Sequence, residues 1–195
     1  MIFFRIRRIV ALTRKPSQYG PKVFVLGINK TGTTSVEEAL RMLGFDHFST
    51  FHNRWPALHY FWYLKFKFKP IFLWLATKFD SFGDSPWNSP VLLSEFDRKF
   101  PNSKFILLHR SKDEYINSYL RYFALRPNVR TYRDPDVIWA EYSHHRQSIL
   151  EYFENRPGDL LDISVKDPNG FKKLTIFLGK EADVTSFPHK NKTPT

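Results

Sequence analysis

The stretch 23–40, "VFVLGINKTGTTSVEEAL", decides the fold. It opens inside a short apolar run, "KVFVL" (22–26), rich in β-branched and aromatic residues, which reads as a buried strand. A turn holding Gly27 and Gly32 follows. Beyond it Val36, Leu40 and Leu43 fall at i, i+4 and i+7, and Gly44 supplies a stop, so the pattern predicts an amphipathic helix. Strand, glycine turn and helix form the setting of a phosphate-binding loop, G-x-x-x-x-G-K-[ST]. The glycine spacing is kept, but Thr33 occupies the lysine slot and the loop's lysine, Lys30, stands two residues before Gly32. Backbone N–H groups at such a turn bind phosphate through donors and helix dipole together. Asn29, Lys30, Thr31, Gly32, Thr33, Thr34 and Ser35 are therefore the candidate cofactor-binding residues of this loop.

Working outward, "FDHFST" (45–50) reads as a second strand. Residues 55–79 read as an aromatic, mostly helical segment broken by Pro70, and 79–86 as a strand running into a turn. "KFILL" (104–108) is a further strand, followed by a helix over 111–123 with a capping box of Ser111 and Glu114. A long helix over 134–155 places Ile138, Tyr142, Ile149 and Phe153 on one face. A strand over 159–164 and a helix over 168–179 complete the pattern. Alternating strands and helices predict an α/β, three-layer domain of P-loop type with a mainly parallel central sheet flanked by helices. The expected division is a basic lead over 1–21 and a single domain over 22–191.

At 195 residues the chain is long enough for one sizeable core. Thirty basic against 19 acidic residues give a net charge of +11, which favours an anionic partner. Cysteine is absent, which excludes disulfides, thiolate metal sites and a cysteine nucleophile. Arginines at 5, 7 and 8 interrupt any signal-peptide core, and no run approaches the roughly 18 apolar residues of a membrane span. Asn29-Lys30-Thr31 matches a glycosylation acceptor inside the phosphate-type loop, and this leans the expected location towards the cytoplasm.

"INKTGTTSVEEAL" resembles the 5′-phosphosulfate loop of sulfotransferases that use 3′-phosphoadenosine 5′-phosphosulfate (PAPS), whose pattern is K-x-G-T-T. The resemblance implies that Lys30 approaches the oxygen bridging phosphate and sulfate. "FILLHRSKDEYINSY" resembles the family's second motif, an arginine ending a strand and a serine eight residues on. It implies that Arg110 and Ser118 hold the 3′-phosphate. The ending "FPHKN" is similar to a small sulfotransferase-like subgroup. The family's R-K-G-x-x-G-x-W-K segment is missing, leaving Lys172, Lys173, His189, Lys190 or Lys192 to stand in. The function so implied is sulfuryl transfer from PAPS to a hydroxyl or amine acceptor, a carbohydrate, lipid or small molecule, with no metal required.

In many relatives the base is a histidine in a T-H-L-P turn. The matching stretch here is "GDSPW", which makes Asp84 the candidate general base, with His47 and His52 as alternatives. His109 is expected to orient or pack beside Arg110, and His144 and His145 to lie on the surface. The aromatic and basic segment 59–75 reads as core, as an acceptor-binding lid, or, with residues 1–15, as a membrane-surface contact. Two other functions compete: a P-loop kinase-like phosphotransferase, and a non-catalytic nucleotide- or anion-binding protein. The kinase lacks its lysine after Gly32, and RNA-module signatures are absent, so nucleic acid is not the expected partner.

Overall fold

The computed structural model describes residues 21–49, 69–125 and 134–188. In chain order the elements are β1 (Val23–Val25), α1 (Thr33–Met42), β2 (His47–Ser49), α2 (Lys69–Ala76), β3 (Ser81–Gly83) and α3 (Pro90–Lys99), then β4 (Lys104–Leu108), α4 (Lys112–Ala124), α5 (Pro135–Tyr152), β5 (Leu160–Ile163) and α6 (Gly170–Leu178). The strands form one sheet in the order β2-β3-β1-β4-β5, and every pairing is parallel.

Side-chain alternation explains the composition of the two faces. The register lines up Phe48, Phe82, Phe24, Phe105 and Leu160 across all five strands on one face. Phe24 stacks at 5.4 Å on both Phe82 and Phe105, and at 4.9 Å on Phe96 of α3. This layer is closed by α2, Trp87, α3 and the Ile149–Phe153 end of α5. The opposite face carries Val23, Val25, Ile106, Leu108 and Ile163 against α1 and α6. Large rings on one face and branched aliphatics on the other make a three-layer α/β fold, and account for much of the phenylalanine content.

The expected face of α5 is buried as one stripe, but it serves two partners. Ile138 and Tyr142 pack with Tyr115 and Ile116 of α4, while Ile149 and Phe153 meet the sheet. Asp134 caps the helix by accepting from the amides of Asp136 and Val137.

Three expectations need correction. The sequence reading places no element between residues 87 and 103, yet α3 lies there, with Ser89 at its cap and Pro90 in its first turn. Pro70 does not break α2 but sits in the first turn of its described part, where the missing amide costs least. Ser111 does cap α4, but its side chain makes no cap hydrogen bond; its hydroxyl donates to the Glu114 carboxylate, which also meets Lys166 and Arg110. Within the aromatic segment the described part, α2, packs into the core, one of the three readings given for 59–75: Phe72, Leu75 and Ala76 are buried against Trp87 and its neighbours. Residues 55–68, His52 and the lead 1–15 fall outside the described residues. No helix among the described residues is long and apolar enough to cross a membrane.

Candidate active site

The strand order reverses direction around β1, so the loops after β1, β3 and β4 emerge side by side at the carboxyl edge of the sheet, the usual binding crevice of open α/β sheets. The loop after β1 continues the sheet through Leu26, whose amide donates to the Ile106 carbonyl at 2.7 Å. It then turns sharply. Thr31 closes the turn, its Oγ1 donating to the Ile28 carbonyl at 2.6 Å, so this hydroxyl holds the loop's shape. Lys30 and Gly32 take positive φ, 73° and 107°, and α1 begins directly afterwards.

Both glycines have a steric reason. A Cβ on Gly27 would stand 2.9 Å from the Leu108 side chain and 2.8 Å from Thr31 Oγ1, and one on Gly32 would stand 2.6 Å from Val165 Cγ2. The loop is therefore pressed between β4 and the turn after β5. Around it Thr31, Thr33 and Ser35 are buried, Lys30 and Thr34 are half-buried, and Asn29 is exposed. The first N–H groups of a helix have no partner within it, so the start of α1 offers donors and dipole to an anion.

From β4, Arg110 reaches across to this loop. Its Nη1 donates to the Lys30 carbonyl at 2.8 Å, while Nε lies 3.7 Å from Glu114. Tyr142 of α5 clamps the arginine's backbone: its hydroxyl accepts from the Arg110 amide at 2.9 Å and donates to the Arg110 carbonyl at 3.3 Å. Glu114 is held below the usual carboxylate range by its hydrogen bond from Lys166, so it stays charged beside the arginine. Ser118 is buried one turn beyond Glu114, and Tyr122 lies a further turn on. Glu114, Ser118 and Tyr122 recur every four residues along α4 and so share one stripe, with Arg110 just ahead of the helix. The Lys30 ammonium rests over the Tyr122 ring, 4.2 Å from its centroid. The sequence reading missed Tyr122; its four-residue spacing from Ser118 was the signal.

The turn after β3 supplies Asp84, half-buried, with φ 63°. Its carboxylate accepts from the hydroxyl of Ser49 at the end of β2. Asn88, four residues on, donates through Nδ2 to the Gly27 carbonyl at 3.1 Å, tying this turn to the phosphate-type loop. The structure thus brings Lys30, Arg110 and Asp84 to adjacent strand ends.

His47 is placed differently. It begins β2 in register with Ser81, bonds Ser81 Oγ through Nδ1 at 2.8 Å, and lies 3.9 Å from Glu37 of α1. Its side chain is 0% exposed, which seats it in the interior below the strand ends.

His145 corrects the expectation of a surface residue, whereas His144 is exposed as expected. His145 turns inward and its Nε2 donates to the Leu26 carbonyl at 2.7 Å. The helical pattern hides this, because the face that meets the strand ends is polar. Burial, with the Arg146 and His144 charges, holds its imidazole below the usual histidine range despite the Leu26 bond. Arg146, next to it, makes a two-pronged pair with Asp162 of β5 at 3.1 and 2.7 Å. His109 meets the same carboxylate at 2.8 Å through Nδ1. Burial alone would raise Asp162, but the hydrogen bonds from Arg146 and His109 outweigh it and hold the carboxyl low. Beside this network an open groove of ≈ 800 Å³ runs from Arg110 and Trp139 to Glu154. Among the described residues no group of three or more His, Asp or Glu is arranged to hold a metal ion.

The sequence matches the family model of the sulfotransferase domain over residues 22–126 and 120–195. The chain belongs to the sulfotransferase-domain family. No curated protein sequence matches it. The crevice described above lies at the carboxyl edge of this sulfotransferase-domain protein's sheet. Its glycine turn, helix N-terminus and bound-in arginine fit a ligand with several anionic oxygens.

Proposed function

We propose that this sulfotransferase-domain protein moves a sulfuryl group from PAPS to a hydroxyl or amine acceptor. The reading rests on one observation: Arg110 and Lys30 are joined, guanidinium to carbonyl, so the two cationic motifs of the sequence act as one unit. In this reading the loop amides and Thr33, Thr34 and Ser35 hold the 5′-phosphosulfate. Arg110 and Ser118 hold the 3′-phosphate, and Lys30 faces the bridging oxygen.

When bound, the donor supplies a sulfur–oxygen bond that breaks as the acceptor oxygen bonds to sulfur, the electron pair remaining on the departing phosphate. Lys30 stabilises the charge that grows there, and a cation at that point acts most strongly in the transition state. Asp84 takes the acceptor's proton, with Ser49 fixing the direction of its carboxylate. His47, enclosed between α1 and the sheet, supports the strand ends rather than the acceptor.

Thermal shift tests the reading without an acceptor. 3′-Phosphoadenosine 5′-phosphate should raise the melting temperature with no metal added, because a ligand bound only to the folded state stabilises it. Adenosine 5′-phosphate should do far less. Equal shifts from both would remove Arg110 and Ser118 from the 3′-phosphate. A shift given by ATP with Mg²⁺ alone would favour the kinase-like alternative.

A further inference from the structure

We propose that Tyr122 is the residue that positions the Lys30 ammonium for transfer, an inference that rests on the sulfuryl-transfer reading of this site. Three constraints meet on one lysine. Its backbone is turned to φ 73°, its carbonyl accepts from Arg110 Nη1 at 2.8 Å, and its ammonium sits 4.2 Å from the Tyr122 ring centroid. A lysine stem is otherwise flexible, and a charge that must meet a developing negative oxygen gains from being placed beforehand.

The choice of an aromatic partner matters chemically. A carboxylate would neutralise the ammonium and repel the anionic donor. A ring face attracts the cation while leaving its charge available. The ring is itself held, meeting Phe123 edge-on at 5.0 Å and 88°. Tyr122 also stands on the stripe of α4 that carries Glu114 and Ser118, so one helix sets the lysine's ammonium while Arg110, two residues before that helix, sets its carbonyl.

The test uses the full chain, with PAPS as donor and water as acceptor. The water oxygen bonds to sulfur, the bridging bond breaks with its electron pair going to the phosphate, and the water's protons pass to solvent. The products are sulfate and 3′-phosphoadenosine 5′-phosphate, and sulfate release is measured. Tyr122→Leu should lower kcat about three- to tenfold, the effect of one half-exposed cation–ring contact. KM for PAPS should move by less than about twofold, as for an interaction made only in the transition state. Tyr122→Phe, which keeps the ring, should retain the wild-type rate.

In parallel, the Lys30 ε-methylene protons should show an upfield ring-current shift in the wild type and in Tyr122→Phe, and lose it in Tyr122→Leu. Stepwise fluorination of the ring at 122 weakens its face without changing its shape, and should lower kcat stepwise even if Tyr122→Leu does not fold. A raised KM with unchanged kcat, equal loss in the Phe and Leu variants, or no trend with fluorination would each overturn the proposal. A wild-type protein that shows the Lys30 shift yet releases no sulfate would instead sink the transfer reading, and the positioning role with it, leaving the contact as packing only.

Discussion

In the proposed reading Lys30 and Arg110 have unequal parts, and single substitutions should separate them. Lys30→Ala should lower kcat by about 10²–10³, the range for one lost transition-state donor, with affinity for 3′-phosphoadenosine 5′-phosphate nearly kept. Arg110→Ala should weaken that affinity first. It should also reduce kcat moderately, because the same guanidinium holds the Lys30 carbonyl. Calorimetric binding beside sulfate-release kinetics gives both numbers for each variant. Asp84→Asn should leave fold and affinity intact and slow transfer by about 10²–10⁴. His47→Gln should act chiefly on stability, since its side chain is fully enclosed. A reversed pattern in those two variants would move the base to β2. At this scale the sequence marks the residues whose chemistry depends on spacing along the chain, such as Lys30, Gly32 and Arg110. Tyr122, Asn88 and His145 escape it, because each acts by reaching a different element.

Among the elements, the phosphate-type loop is the one most legible in sequence and the least tolerant of change. Gly32→Ala meets two obstacles: φ 107° at a residue with a side chain, and a Cβ 2.6 Å from Val165 Cγ2. The strain alone is worth about 1–3 kcal/mol. The variant should melt lower and lose most nucleotide-induced stabilisation, because the start of α1 must shift away from the turn after β5. The strands are legible by type but not by extent. β1, β2 and β3 are only three residues each. α3 carries its own signals, a Ser89-Pro90 start and a Leu92, Leu93 and Phe96 face, but the turn and the aromatic pattern just before it mask them.

For the whole molecule, the seam between α5 and the carboxyl edge of the sheet should control its response to acid. His145 is held neutral in the folded state, below its ordinary value of 6.5, chiefly by burial. The unfolded chain therefore binds the extra proton first, and stability falls as pH drops below about 6.5. Asp162 works in a second window. Its carboxyl is held below its ordinary value of 3.8, so the stability its ion pair contributes is present above that value and lost as pH falls through the lower, folded-state range. Urea unfolding at pH 8.0 and 5.5 should show a slope in the wild type that His145→Gln reduces, the glutamine amide still able to donate to the Leu26 carbonyl. An unchanged slope would remove His145 from this role. The fold class was readable because alternation of strands and helices is a local signal. The strand order that creates the seam is not local and had to be seen.

That strand order also dictates when the crevice can come into being. β1 lies in the middle of the sheet, yet both of its neighbours, β3 and β4, come from far downstream. Lys30 and the arginine that grips its carbonyl are separated by 80 positions along the chain. At the ordinary pace of synthesis, roughly 5–20 residues per second, the glycine turn waits about 4–16 s for its partner to be made. Until β3 (Ser81–Gly83) has been made the apolar "VFVL" segment has no neighbouring strand, and a nascent chain must be shielded rather than rescued by nucleotide. Donor binding can therefore secure only a completed centre. Chains stalled on the ribosome before Arg110 should ignore the nucleotide, and chains stalled well beyond it should be the first to resist a protease in its presence.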